Sequence, residues 1–330
     1  MDESVLILMA TYNGEKYIEQ QIESILAQDY SNWHLVIQDD GSSDRTVEII
    51  TKYCNFDSRI EFRINNSIIH GAYINFHGLA NHYKKGKEYD YYMFADQDDI
   101  WLKNKLSRLI NYMNKYSKAK VATLCYADME VINNNGKSIA ISINELLGLK
   151  YYNAYSVFFS HNVFGCNVIM NKQLFLMIPI IDINKNSTKI LSHDNLYTKY
   201  AATFGEILYL SEQLMKYRRH SANVTSKQNY TFTIRRIIKR IFSISDLAKD
   251  HALTYNQSLI AIQMMKEQAN IEEWKFLESI LNTITHGGII YLNYSRKHRI
   301  TWGKKMKTLS RTFILLTGLY KKYLLTNIEY

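Results

Sequence analysis

Three continuous apolar runs, each ending in a polar or acidic loop and each followed by a helical pattern, limit what this chain can fold into. Val5-Leu6-Ile7-Leu8-Met9 leads into Ala10-Thr11-Tyr12-Asn13-Gly14-Glu15 and then an amphipathic stretch through Ile18, Ile22, Ile25 and Leu26. His34-Leu35-Val36-Ile37 runs into Gln38-Asp39-Asp40-Gly41-Ser42-Ser43-Asp44 and a helical pattern from Arg45 to Tyr53. Tyr91-Tyr92-Met93-Phe94 ends at Ala95-Asp96-Gln97-Asp98-Asp99-Ile100-Trp101, with a helix expected to begin near Leu102. Strands that are apolar without alternation are covered on both faces, and strands alternating with helices build a mostly parallel sheet. The fold class expected is therefore α/β. Ligands of such sheets bind at the carboxyl ends of the strands, where all three loops fall.

Carboxylates at the end of a buried strand suit metal-phosphate chemistry. A divalent cation takes oxygen ligands, and the pair Asp96 and Asp98 can put one group on a metal and the other on a neighbouring ribose or water. The same residues also suit a surface turn capping the next helix, since Asp is a common N-cap. A second acidic loop at Asp39-Asp40 makes the turn reading harder to hold for both.

In that order, Ala10-Thr11-Tyr12-Asn13, Asp39-Asp40-Gly41-Ser42-Ser43-Asp44 and Asp96-Gln97-Asp98-Asp99 resemble the successive signatures of family 2 inverting glycosyltransferases with the A-type (GT-A) fold. The extended forms Leu8 to Lys16 and Phe94 to Trp101 are most similar to bacterial rhamnosyltransferases of cell-wall or capsular polysaccharide synthesis. The resemblance covers roughly the first two thirds of the chain. It implies a Rossmann-like nucleotide-binding domain on a mixed, mostly parallel sheet. It also implies metal-dependent, inverting transfer of a sugar from a nucleotide-sugar to a lipid-linked or growing bacterial surface polysaccharide. The best match is L-rhamnose from dTDP-rhamnose, with UDP-linked galactose, glucose or N-acetylhexosamine as the alternative. A non-catalytic scaffold of an assembly complex is a remoter reading. Nucleotidyl transfer is disfavoured because Gly14 stands alone, with no glycine-rich phosphate cradle.

The resemblance also assigns roles residue by residue. Thr11 and Tyr12, with Asn13 and Glu15, line the donor pocket; Asp39 accepts from a pyrimidine imide N–H, and Asp40 supports its loop. Asp96 sits near the ribose, while Asp98 binds a Mn2+ or Mg2+ ion that bridges the diphosphate. Asp194, in Ser192-His193-Asp194-Asn195 at the head of a helical stretch Leu196 to Phe204, is the candidate catalytic base, a reading the motif context favours over that of a helix cap. A strand pair, Glu206 to Leu210 and Gln213 to Tyr217, leads to Lys216-Tyr217-Arg218-Arg219-His220, whose His220 completes the metal site with Asp98. Arg218 or Arg219 contacts the diphosphate, or is a solvated charge beside the strand. Asn162 to Asn171 resembles the acceptor-side strand, where Gly165 allows close approach of a sugar or diphosphate, or marks only a bulge. One departure stands at Ile69, where relatives carry Asn two residues before the glycine.

Charge divides the chain. Residues 1–224 carry 23 Lys or Arg against 24 Asp or Glu, whereas residues 225–330 carry 17 against 7. The expected organisation is a catalytic domain over 1–224, with a nucleotide-sugar half to about 125 and an acceptor half over 126–224, followed by a basic amphipathic helical extension over 225–330. Ile234 to Phe242 and the tail from Trp302 through Phe313 to Leu325 are the basic amphipathic segments; these suit an anionic membrane surface, or packing on the catalytic domain or on a second copy as a homodimer. The apolar runs are short of the roughly 20 residues a spanning helix needs, and no signal peptide precedes Met1-Asp2-Glu3. A cytoplasmic protein, peripheral on the inner face of the cell membrane, is expected. No nucleic-acid-binding module accompanies the basic residues. Cys54, Cys125 and Cys166 form neither a disulfide framework nor a CxxC site, which fits a reducing compartment.

Overall fold

The structure is a computed structural model and describes residues 2–149, 153–160, 162–220 and 244–325. The first half alternates as the apolar runs require: β1 (Val5–Thr11), α1 (Ile18–Leu26), β2 (Trp33–Asp39), α2 (Thr46–Phe56), β3 (Ile60–Ile64), α3 (Ala72–Tyr83) and β4 (Tyr91–Asp96). Then follow β5 (Ile100–Trp101), α4 (Lys105–Tyr116), β6 (Ala122–Asn133), β7 (Ser138–Ala140), α5 (Ile143–Leu147), β8 (Val168–Asn171), α6 (Lys172–Met177), α7 (His193–Phe204) and β9 (Gly205–Arg219). Four further helices, α8 (Ile244–Met265), α9 (Ile271–His286), α10 (Gly288–Lys297) and α11 (Lys305–Thr317), complete the described chain. The expected boundary at 224/225 and the basic segment Ile234 to Phe242 lie outside the described residues.

All nine strands join one sheet in the order β3-β2-β1-β4-β8-β6-β9-β5, with β7 paired to β6. β3, β2, β1 and β4 are mutually parallel, because α1, α2 and α3 carry each crossover. The chain winds outward from β1 to β3 and returns to β4 on the other side of β1. That reversal leaves a crevice at the carboxyl ends of β1 and β4, beside Thr11 and Asp96. Beyond β4 the sheet is mixed: β8 runs antiparallel to β4 and β6, and β9 runs parallel to β6.

The unbroken apolar runs have a direct cause. Val5, Ile7 and Met9 face one core with α1, α2 and α4, while Leu6 and Leu8 face the other with α3, α7 and the C-terminal helices. That second core is continuous from the sheet to Tyr255, Tyr291 and Ile314, with α8 and α9 packed on α7, and α10 and α11 joined to them. Trp302, just before α11, is 2% exposed and its indole N–H donates to the Phe159 carbonyl at 2.9 Å. The opposite face of α11 presents Met306, Leu309, Phe313 and Leu316, exposed by 57, 63, 50 and 39%. No described helix is long and apolar enough to cross a membrane.

Three local expectations change. Glu206 to Tyr217 is not a strand pair but part of the single strand β9, which absorbs the polar Ser211 and Glu212 as register shifts opposite Ala127 and Asp128. The helix expected at Leu102 begins at Lys105, because Ile100 and Trp101 pair with β9 and the Leu102 N–H donates to the Leu214 carbonyl. The strand expected over Asn162 to Asn171 is only β8, preceded by a 3-10 turn at Gly165–Asn167.

Candidate functional site

A cavity of about 1750 Å³ opens over the carboxyl ends of β1, β2 and β4 and continues between α7, α8 and α11. Its floor is built from three loops that hold one another. The Gln97 side chain clasps the first loop: its Oε1 accepts from the Tyr12 N–H at 2.9 Å and its Nε2 donates to the Tyr12 carbonyl at 3.0 Å. Gly14 makes this possible, since a Cβ there would lie 2.3 Å from Gln97 Oε1. Asn13 ties the first loop to the second, donating from its N–H to Ser42 Oγ and accepting from the Ser43 N–H.

Asp39 and Asp40 are adjacent yet do different work. Asp39 is 2% exposed and its carboxylate accepts from Thr11 Oγ1 at 3.0 Å and from the Gly41 and Ser42 N–H groups at 3.0 and 2.7 Å. It stands behind the cavity wall as the anchor of the turn, which corrects its expected place at the base. Asp40 lines the cavity and holds the α3 lead-in, accepting from Asn65 Nδ2 at 2.6 Å and the Gly71 N–H at 2.7 Å, with His70 Nδ1 at 2.9 Å. Through these contacts the loop is secured independently of the Ile69 side chain. Glu15, expected on the donor, instead accepts from the Arg45 N–H at 3.0 Å at the start of α2, off the cavity wall.

The third loop brings the expected cation ligands together. Asp98 Oδ2 lies 2.6 Å from His220 Nε2, and both residues line the cavity. His220 comes from the end of β9, which is placed by Arg218. The Arg218 N–H donates to Asp99 Oδ1 at 2.9 Å, its Nε to the Asp98 carbonyl at 2.7 Å and its Nη2 to Gln20 Oε1 at 2.6 Å. Its guanidinium also stacks on Tyr17. Arg218 is thus a buried brace for the acidic loop rather than a diphosphate contact, and the neighbouring Arg219 is the arginine on the wall.

Carboxyl groups crowd together here. Burial raises the Asp96 carboxyl to about 7, with the charges of Asp98 and Asp194 adding to the shift. Asp99 is raised well above its ordinary value by burial and then by Asp98 and Asp96. Beneath the floor, ligand atoms of Asp96, Asp99 and Cys166 lie within 4.8 Å of one another. The fully buried Lys105 adjoins this layer, its Nζ donating to the Cys166 carbonyl at 2.8 Å. Lys105, pulled down to about 7 by burial, feels Asp99 and Asp96 as opposing charges. Lys105 is itself packed into this layer and donates to the Cys166 carbonyl, so the layer is a packed polar foundation. The carboxylate-imidazole pair Asp98 and His220, by contrast, opens on the cavity beside Asp96, and this donor set fits a Mn2+ or Mg2+ ion.

Asp194 also lines this cavity, in the first turn of α7 with Ser192 at the cap position. Its Oδ1 accepts from the Asn195 N–H at 2.7 Å and from the Ser192 hydroxyl, and its Oδ2 from the Gly165 N–H at 3.0 Å. A Cβ at Gly165 would meet His193 Nε2 at 2.4 Å, so this glycine lets the start of α7 close down on the turn. Thr11, Tyr12, Asn13 and Asp96 also line the cavity. Gln97, Tyr17 and Lys105 were given no role from the sequence, and the α11 cations were marked only as part of a basic amphipathic segment; of the first three, Gln97 alone carried a signal, standing inside the acidic motif.

The description glycosyl transferase family 2 matches residues 6–176. A UDP-Glc:alpha-D-GlcNAc-diphosphoundecaprenol beta-1,3-glucosyltransferase, WfgD of Escherichia coli, is 38% identical over 152 residues, covering 44% of this chain and 56% of that protein. The dTDP-rhamnosyl transferase RfbG of Shigella flexneri is 29% identical over 236 residues, covering 67% of this chain and 76% of that one. The match thus spans little more than half of the first relative and about three quarters of the second. Among solved structures, S. aureus TarS 1-349 in complex with UDP-GlcNAc superposes over 97% of this chain and 84% of that one, with a TM-score of 0.56 at 16% identity, a likeness of fold.

Proposed function

Because the chain belongs to glycosyl transferase family 2, we propose that it moves a sugar from a pyrimidine nucleoside diphosphate to a hydroxyl of a lipid-linked or growing bacterial surface glycan, with inversion. The observation that carries this reading is that one cavity is lined both by a carboxylate fixed by backbone donors, Asp194, and by the pair Asp98 and His220. Inverting displacement needs a base on the acceptor hydroxyl and compensation for charge on the leaving diphosphate from the other side. Asp194, oriented by Gly165 and Asn195, takes the acceptor proton as the hydroxyl attacks the anomeric carbon. A divalent cation held by Asp98 and His220 would offset the diphosphate charge, so no acid need protonate the leaving group. Asp40 is our candidate for the pyrimidine imide N–H, and Asp96 for the ribose.

The donor we propose is dTDP-rhamnose, supported by the likeness to RfbG over 67% of this chain. UDP-glucose is the second reading, favoured by the higher identity to WfgD over a shorter stretch. Thymine and uracil present the same imide edge, so Asp40 serves either. The test is thermal stabilisation by dTDP-rhamnose, UDP-glucose and UDP-N-acetylglucosamine, each with and without Mn2+, followed by release of free nucleotide. A Mn2+-dependent shift selective for dTDP-rhamnose is expected. Selectivity for UDP-glucose establishes the second reading, and no shift with any of them overturns both.

We further propose a catalytic domain over 1–224 and a helical extension over 225–330 that attaches the protein to the cytoplasmic face of an anionic membrane. The outward apolar stripe of α11, flanked by Lys305, Lys321 and Lys322, supports this reading; dimerisation through the same face is its alternative.

A further inference from the structure

The cavity does not stop at Asp194. Its wall continues along α8, where Asp250, Leu253, Thr254 and Gln257 recur at the spacing of a single helix face, and then onto the segment that carries Lys304, Lys307 and Arg311. Gln257 marks the near end of this wing, since its Oε1 accepts from Nδ2 of Asn195, the residue next to Asp194. From Gln257 back to Asp250 the helix rises about 10 Å at 1.5 Å per residue. The far half of that span is where the cations stand: Lys307 and Arg311 both bear on His251, and with burial they hold its imidazole well below its ordinary value.

The wing therefore leads away from the proposed base, about 10 Å along α8, to a stretch of wall that carries, among the described residues, Lys304, Lys307 and Arg311 together with Asp250. The polar partner such a wall selects is an anion with several oxygens. Arg311 can match paired phosphate oxygens, and Lys304 and Lys307 act as point charges beside it. α11 itself separates two functions. At about 100° per residue, Lys307 and Arg311 share one side with the buried Ile314 and Leu315, while Met306, Leu309, Phe313 and Leu316 fall on the other, solvent-facing side.

We propose that Lys304, Lys307 and Arg311 form an acceptor-phosphate subsite, taking the diphosphate ester that carries the acceptor saccharide while the saccharide's hydroxyl end reaches Asp194. This rests on the glycosyltransfer reading above and adds to it the chemical class of the acceptor and the residues that hold it. An apolar chain on that diphosphate would leave the cavity over the exposed stripe of α11, so the helix reads both ends of a lipid-linked diphosphate.

The test uses the full chain with its donor site saturated by UDP or dTDP and Mn2+, then titrated calorimetrically with geranyl diphosphate, inorganic diphosphate or geraniol. Geranyl diphosphate should bind, and the double variant Lys307→Gln/Arg311→Gln should weaken it at least tenfold. Lys307→Arg should retain binding and Lys305→Gln, on the solvent side, should leave it unchanged. Nucleotide affinity and thermal unfolding of each variant verify the fold. Equal affinity for inorganic and geranyl diphosphate would assign recognition to the phosphates alone, whereas tighter geranyl diphosphate would add the α11 stripe; either supports the subsite. Nucleotide binding without diphosphate binding, or undiminished binding by the double variant, overturns this inference and leaves the donor reading standing. Failure to bind any nucleotide overturns the donor reading, and this inference with it.

Discussion

Gly14→Ala probes the clasp that joins the first and third donor loops. Gly14 does not sit in the left-handed region, so alanine is compatible with its backbone and the only obstacle is the Gln97 amide, 2.3 Å from the new Cβ at Oε1 and 2.7 Å at Cδ. Gln97 must withdraw, which forfeits its two hydrogen bonds to the Tyr12 backbone. At about 1 kcal/mol each, the loss is about 2 kcal/mol, reduced by water because Tyr12 is exposed. Replacing glycine returns about 0.4–1 kcal/mol through the unfolded chain. The net cost of Gly14→Ala is then about 1 kcal/mol, and nucleotide affinity should fall by up to about tenfold as the loop loosens, since 1.4 kcal/mol is a factor of ten. Gln97→Ala removes the same two bonds without the clash. In that background Gly14→Ala has nothing to displace, so its sign should reverse to a stabilisation of about 0.4–1 kcal/mol. Urea unfolding of the wild type, both single variants and the double variant, with nucleotide titration of each, measures the cycle. Equal destabilisation by Gly14→Ala in both backgrounds would refute the clasp as the reason for this glycine.

Asp194→Asn should lower transfer by about 10²–10⁴-fold while nucleotide affinity stays within a few-fold, because the role proposed for Asp194 is on the acceptor hydroxyl and not on the nucleotide; turnover near the wild-type rate would remove Asp194 as the base. Asp98→Asn and His220→Ala should each abolish the Mn2+-dependent part of nucleotide-induced thermal stabilisation, and persistence of that dependence would place the cation elsewhere. Lys84, whose Nζ donates to the Ile178 and Pro179 carbonyls, is pulled down to about 7 by burial. The unfolded chain holds that proton up to the ordinary lysine value, so the fold should gain stability as pH rises from about 7 towards 10, and Lys84→Met should flatten this rise in urea titrations at pH 7.5 and 9.5. Leu309→Ser/Phe313→Ser should release the protein from vesicles containing anionic lipid in a flotation assay without shifting its unfolding temperature, since both side chains are exposed; unaltered flotation would count against the α11 stripe as the membrane contact.

How much of this was legible from the chain depends on whether a property is local or set by strand parity. The parallel half of the sheet was readable because β1, β2 and β4 are covered on both faces and so carry unbroken apolar runs, Val5 to Met9, Leu35 to Ile37 and Tyr91 to Ala95. The Asp98 and His220 pairing emerged only through family resemblance, since 122 residues separate the two. Where two like residues stand side by side, sequence offered no choice. Asp39 and Asp40 look the same, but one turns inward to Thr11 and the Gly41 and Ser42 amides and the other outward to the cavity. Arg218 and Arg219 pose the same ambiguity, resolved by an accident of register: the shifts along β9 opposite Ala127 to Glu130 change which side each later residue faces. Lys105 was hidden for another reason. On a helical pattern it reads as a solvated lysine, and only the arrival of Cys166 from a distant turn gives its ammonium a buried partner. The α11 cations were visible as a basic amphipathic segment, but that pattern alone does not say whether the basic side meets water, lipid or a cavity. It is the packing of Ile314 and Leu315 into the core that turns Lys307 and Arg311 inward, and therefore makes them candidates for binding an acceptor rather than a surface.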